Sequence, residues 1–172
     1  MTLRAKTDQK GFTLIELLIV IAIIGLIAAM MIPNLLDAMQ KAKQKRTIAD
    51  IRITGTAMFS WLTDQVGAAS AGALVTQIDL GSYGSVKRAS DLTTILVPTY
   101  LQFVPSIDGW KAPYDYYLNQ TSVMGRSVMA IRSKGRDFSS PSDTYSVTNF
   151  DPTDYDQDIV WADGFMVRWP QK

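Results

Sequence analysis

The chain has 172 residues, a formal net charge of +1, a mean hydropathy of +0.05, and no cysteine and no histidine. Disulfides, thiol nucleophiles, histidine general bases and histidine metal ligands are therefore excluded, which removes the commonest catalytic machinery. The near-neutral balance gives no sign of a specific nucleic-acid partner.

Charge is unevenly placed. The first eleven residues carry Arg4, Lys6 and Lys10 against Asp8, and without them the formal charge falls from +1 to −1. Leu17 to Leu36 then runs for 20 residues without a charge, enough to cross a hydrocarbon core as a helix. A secretory signal has a shorter apolar region, about 7–15 residues, followed by a cleavage site. Here the run continues past Ala28 and Ala29. Glu16 stands inside the start of this apolar stretch and is the only glutamate in the chain. An acid at mid-membrane costs about 2.5–3.5 kcal/mol on translocon scales. Either Glu16 stays wet at the interface, or it has a cationic partner. No Lys or Arg shares its helical face, and position i−4 is Phe12, which offers a cation only if cleavage after Gly11 frees its amine.

Gly25 and Pro33 fall inside the same expected helix. Proline there removes a backbone hydrogen bond and clashes one turn back, giving a tolerated kink. The cations of 41-KAKQKR-46 follow the span closely, so counting charges at its two ends does not orient it. From Asn34 to Val66 the pattern reads as a helix, with Ile48, Ile51, Met58, Trp61 and Leu62 forming an apolar stripe to dock on a globular head. The glycine-rich run from Gly67 to Gly84 reads as a loop. A short helix is expected over 90–98, capped by Ser90 and limited by Pro98. Residues 114–119 and 128–133 are β-prone, and 159-IVWADGFMVRW-169 reads as a hairpin turning at Asp163-Gly164. Its aromatics Trp161, Phe165 and Trp169, with nearby Tyr155, are expected to pack a small antiparallel sheet on the stem helix. Asn119-Gln120-Thr121 fits a glycosylation sequon, a tripeptide common by chance. From Asp137 to Asp163, both included, there are seven aspartates and no Lys or Arg.

Several motifs carry a resemblance. Lys10-Gly11-Phe12-Thr13-Leu14-Ile15-Glu16 resembles the processing signal of type IV pilins and type II secretion pseudopilins. Asp108-Gly109-Trp110-Lys111-Ala112-Pro113-Tyr114, Ser133-Lys134-Gly135-Arg136-Asp137 and Asp158-Ile159 resemble segments of the major, G-type pseudopilins. Departures are Lys111 and Phe138, which stand where those segments have glycine, and residues 67–88, which look like an insertion.

The resemblance implies an α+β fold: a long hydrophobic stem helix packed on an antiparallel head. It divides the chain into a basic leader (1–11), a stem (12–66, with 12–36 in the membrane or filament core) and a head (67–172). It implies a non-enzymatic subunit, single-pass in the inner membrane with a cytoplasmic leader and then part of a periplasmic filament. Prepilin peptidase would cut between Gly11 and Phe12, Phe12 would be N-methylated, and its amine would neutralise Glu16 of a neighbouring copy. The implied partners are further copies in a helical filament, the inner-membrane assembly platform and minor pseudopilins. It also implies a calcium site in the loop from Asp137 to Asp158, with Asp151, Asp154, Asp156 and Asp158 as candidate ligands. The spacing there is not that of an EF-hand. A surface type IV pilus subunit is the alternative within the class. A membrane-tethered binding module or enzyme is the alternative outside it, and leaves Glu16 unexplained.

Overall fold

The structure is a computed structural model that describes residues 11–66, 77–120, 123, 125 and 127–171. The chain divides into two compact units at the Ala38/Met39 junction. Helix α1, Leu14–Val66, contributes to both and passes through Gly25 and Pro33 as continuous helix.

In the first unit the α1 side chains from Leu14 to Leu36 are almost all exposed and apolar. α1 is the one helix among the described residues long and apolar enough to cross a membrane. No amphipathic stripe is needed there, because lipid can contact every face.

The second unit is an α+β head built around the rest of α1. Ile51, Met58, Trp61 and Leu62 are buried at helical spacing, as the stripe predicts. They pack with Trp110, Tyr114, Tyr116, Met129, Ile131 and Trp161 in one cluster. Full burial of side chains of this size is worth about 1.5–3 kcal/mol each.

The strands are β1 Gln77–Asp79, β2 Val86–Lys87, β3 Asp115–Leu118, β4 Met129–Ser133, β5 Thr144–Ser146, β6 Thr148–Phe150, β7 Ile159–Ala162 and β8 Phe165–Pro170. The main sheet has the order β2-β3-β4-β7-β8-β6, and β1 pairs with β5 in a two-stranded sheet. All pairings are antiparallel except β6 with β8. β3, β4 and β7 are buried on both faces, one against α1 and the other under a second cluster. The 159–169 hairpin forms as expected, with Asp163 (φ 44°) and Gly164 (φ 102°) in the left-handed backbone that a tight hairpin turn needs.

Two expectations are corrected. Residues 77–84, read as part of a loop, form β1 and a short 3₁₀ helix, Leu80–Tyr83. Ile78, Leu80 and Tyr83 are buried with Tyr117, Ala130, Tyr145, Val160, Ala162 and Val167, so distant partners order a stretch whose glycines suggested none. The Asp79 side chain takes the Gly81 amide at 3.0 Å and starts the 3₁₀ turn. Residues 67–76 lie outside the described residues. The short helix α2 is Ala89–Leu96, with Arg88 rather than Ser90 at the cap position. Asp91 accepts the Arg88 amide at 2.9 Å, so the carboxylate one turn in does the work assigned to Ser90.

Candidate functional site: the helix start and the acidic cleft

Gly11 and Phe12 are exposed and lie just before α1. Thr13 caps the helix. Its amide and its Oγ1 both donate to Glu16 Oε2, at 2.8 and 2.7 Å, while the Glu16 amide donates to Thr13 Oγ1 at 3.3 Å. This is a reciprocal capping box, and the carboxylate also sits at the positive end of the helix dipole. Within the single chain, then, the Glu16 carboxylate is held by its own helix end. The sequence signal was available as Thr-x-x-Glu before an apolar run, but the charge argument alone does not find Thr13.

The acidic loop closes the other candidate site. Asp137, Asp154, Asp156 and Asp158 line a cleft of about 490 Å³ together with Ser142, Tyr145 and Arg168. Asp151 does not line it. Its carboxylate turns back on Thr153, accepting the amide at 2.9 Å and the hydroxyl at 2.7 Å, and these bonds hold it below the usual carboxylate range. Asp156 takes a bidentate pair from Arg136, both contacts 2.8 Å, which likewise keeps it low. Asp154 accepts the Gln157 side-chain amide at 2.7 Å, and Arg168 in turn donates to Gln157.

Asp158 is different. It is buried, Tyr145 donates its hydroxyl to Oδ2, and the buried Oδ1 has no partner among the described residues. Burial pushes its carboxyl up, against the opposing pull of the Tyr145 hydrogen bond and of Arg132. The nearby guanidinium of Arg132 is also buried. It donates to Asp115 at 2.8 and 3.1 Å and to Asp143 at 2.7 Å. Burial works against its charge, and these hydrogen bonds more than reverse that. Breaking such a buried pair typically costs about 3–5 kcal/mol.

The cleft suits calcium in donor chemistry, since it offers hard carboxylate oxygens and one buried oxygen without a partner. Among the described residues no three acidic side chains form a group that could hold a metal ion, and Asp154 and Asp156 are engaged with Gln157 and Arg136. Of the four sequence candidates the fold brings Asp154, Asp156 and Asp158 to one cleft, leaves Asp151 outside it, and adds Asp137.

The Asp108–Tyr114 segment is a built joint against α1. Asp108 is buried, and its Oδ1 accepts the Trp110 and Ala112 amides, both at 2.9 Å. Its Oδ2 accepts the Ser133 hydroxyl at 2.7 Å. Gly109 donates to Thr47 Oγ1 at 2.9 Å, and the Trp110 indole donates to Gln40 at 2.8 Å.

A capped helix start carrying a carboxylate, an apolar span long enough to cross a membrane and an α+β head that includes the same helix's later turns are together pilin-like. The profile described as the prokaryotic N-terminal methylation motif matches residues 6–32. The chain is 43% identical over 49 residues to the type II secretion system core protein G of Escherichia coli K12, covering 28% of this chain and 34% of that protein. It is 37% identical over 93 residues to fimbrial protein Q of Moraxella bovis, covering 51% and 57%. It is 41% identical over 62 residues to the type IV major pilin PilA of Myxococcus xanthus, covering 36% and 28%. The matched part thus spans between 28% and 57% of these relatives. No solved structure matches the chain. The motif and the relatives make the chain similar, over its N-terminal part, to type IV pilins and type II secretion pseudopilins.

Proposed function

We propose that the chain is the major pseudopilin of a type II secretion system: a structural subunit cut between Gly11 and Phe12, methylated at Phe12, and assembled through its apolar stem into a periplasmic filament. The observation that carries this is Glu16, a lone carboxylate three residues past a helix cap at the head of an uncharged span. In lipid it is costly. Paired with the freed Phe12 amine of a neighbouring copy it becomes an ion pair that fixes the stagger between subunits. Prepilin peptidase, the assembly platform and minor pseudopilins are the partners this reading requires. The Asp108–Tyr114 joint and the Asp158–Ile159 strand start support the G-type assignment.

The test is Glu16→Ala in the native cell, with membrane insertion and filament yield measured together. Insertion is expected to stay intact and filaments to fall at least tenfold. Normal filament yield would overturn the pairing. A second reading, a surface type IV pilus, is favoured by the match to fimbrial protein Q, which at 93 residues must extend beyond the stem. Mass spectrometry of sheared extracellular filaments and of washed envelopes separates the two. Peptides beginning at methylated Phe12 confined to the envelope support the pseudopilus, and abundance in sheared filaments supports the surface pilus.

We also propose that the cleft lined by Asp137, Asp154, Asp156 and Asp158 takes a calcium ion, which would tie a long loop that has no disulfide to hold it. The unpartnered Asp158 Oδ1 supports this.

A further inference from the structure

We propose that the first turns of the head form a basic collar that binds the phosphate groups of anionic lipids at the surface of the membrane the stem crosses. The inference rests on the membrane-spanning reading of residues 12–36. Lys41, Lys43, Lys45 and Arg46 begin five residues after the last residue of the uncharged run, Leu36. At 1.5 Å per residue, Lys41 lies about 7 Å further along the helix, comparable to the roughly 5–8 Å headgroup layer on each side of the hydrocarbon. Lys41, Lys45 and Arg46 are exposed, and Lys43 is half-buried. Two acids flank the four cations: Asp37, and Asp50, whose Oδ2 lies 3.6 Å from Arg46.

An independent observation adds a fifth cation. The turn that carries Lys111 is seated on this part of α1, with Gly109 bonded to Thr47 and Trp110 to Gln40. Gly109 lies so close that a Cβ there would fall 2.3 Å from the Lys43 carbonyl oxygen. Lys111 is exposed and has φ of 73°, a conformation that glycine adopts without strain and lysine does not. A cation is thus kept, on strained backbone, in a turn clamped over Gln40 to Thr47. Phosphate headgroups next to the span are the anion that the chain's own connectivity brings to this patch, and juxtamembrane Lys and Arg are attracted to anionic lipid.

The test uses the full chain, leader included, in nanodiscs of phosphatidylcholine doped with spin-labelled phosphatidylglycerol or spin-labelled phosphatidylcholine. Motion-restricted label measures association. The wild-type chain is expected to prefer phosphatidylglycerol by about 3–10-fold at low salt, and less at 0.5 M salt. The quadruple variant Lys41→Gln, Lys45→Gln, Arg46→Gln, Lys111→Gly is expected to lose most of that preference, and Lys111→Gly alone, which suits the turn's backbone, a measurable part of it. A preference unchanged in the quadruple variant would assign it to the leader cations and overturn the collar. Displacement of the labelled lipid by 50 mM inorganic phosphate, with chloride of equal ionic strength inactive, would show a simple anion site and overturn the lipid assignment. Loss of preference only when copies associate would point to the acidic loop of a second copy, and also overturn it. Failure of the chain to insert would sink the spanning reading itself, whereas insertion without preference sinks the collar alone.

Discussion

Two side chains sit on costly backbone. Lys111 (φ 73°) and Phe138 (φ 59°) stand where the resembled segments have glycine, and both occupy the left-handed region. A side chain there costs about 1–2 kcal/mol, while glycine costs about 0.5–1 kcal/mol more in unfolded-chain entropy. The first effect is larger, so Lys111→Gly and Phe138→Gly are each expected to stabilise the head by about 0.5–1 kcal/mol in urea unfolding; destabilisation by either would refute the strain argument. Phe138 is more than half exposed, so little packing is lost with it. The strain was foreshadowed in the sequence by the departures themselves. Thr13 was not, because an argument about charge looks for a cation and passes over a hydroxyl. Thr13→Val removes the hydroxyl that both donates to the Glu16 carboxylate and accepts the Glu16 amide, and is expected to fray the first turn of α1 and cost about 1 kcal/mol of local helix stability, read by amide exchange at residues 14–17. Unchanged exchange would mean that the cap contributes nothing.

At the scale of elements, α1 and the β7–β8 hairpin were legible because their signals are local: a 3.6-residue stripe, an uncharged run, and Asp-Gly between alternating strands. β1, β5 and β6 were not. Each is three residues long and defined by a partner far away in sequence: β1 by β5, and β6 by β8. No local pattern specifies such pairings. The same holds for close approaches between elements. Gly55 in α1 faces Trp161 of β7, and a Cβ there would lie 2.6 Å from the indole. On propensity alone Gly55→Ala should stabilise a helix by about 1 kcal/mol. Overpacking a buried contact costs about 1–3 kcal/mol, and the ring is buried against the same cluster as Met58 and Ile131. The variant is expected to lose up to about 2 kcal/mol net in thermal or urea unfolding. A gain would show that the sheet shifts freely off the helix. Gly109→Ala meets backbone rather than a side chain, so its loss is expected to exceed that of Gly55→Ala.

For the whole molecule, the decisive group is Asp158, where the loop, the sheet and the proposed calcium meet. It is buried, one oxygen is without a partner, and burial is the largest influence on its carboxyl, raising it. The groups facing it are Tyr145, Arg132, Asp137 and Arg168. A carboxyl raised on folding binds its proton more tightly in the native state. Native protein therefore holds more protons than unfolded protein once pH exceeds the unfolded value of about 3.9, and stability falls as pH rises through the folded value. Asp163, raised chiefly by burial, acts in the same direction. In chelator, the wild-type head is expected to lose stability between about pH 4 and its folded value. Asp158→Asn keeps an acceptor for Tyr145 and should flatten part of that loss. Calcium reverses the logic: it favours the ionised carboxylate, so added calcium should raise the wild-type Tm at pH 7 and protect the 137–158 loop from protease, and should do neither in Asp158→Asn. If calcium stabilises both chains alike, it binds elsewhere. If it stabilises neither while the pH effect remains, the cleft is a guanidinium–carboxylate lock, with Arg136 on Asp156 doing the holding, and the ion is not part of this head.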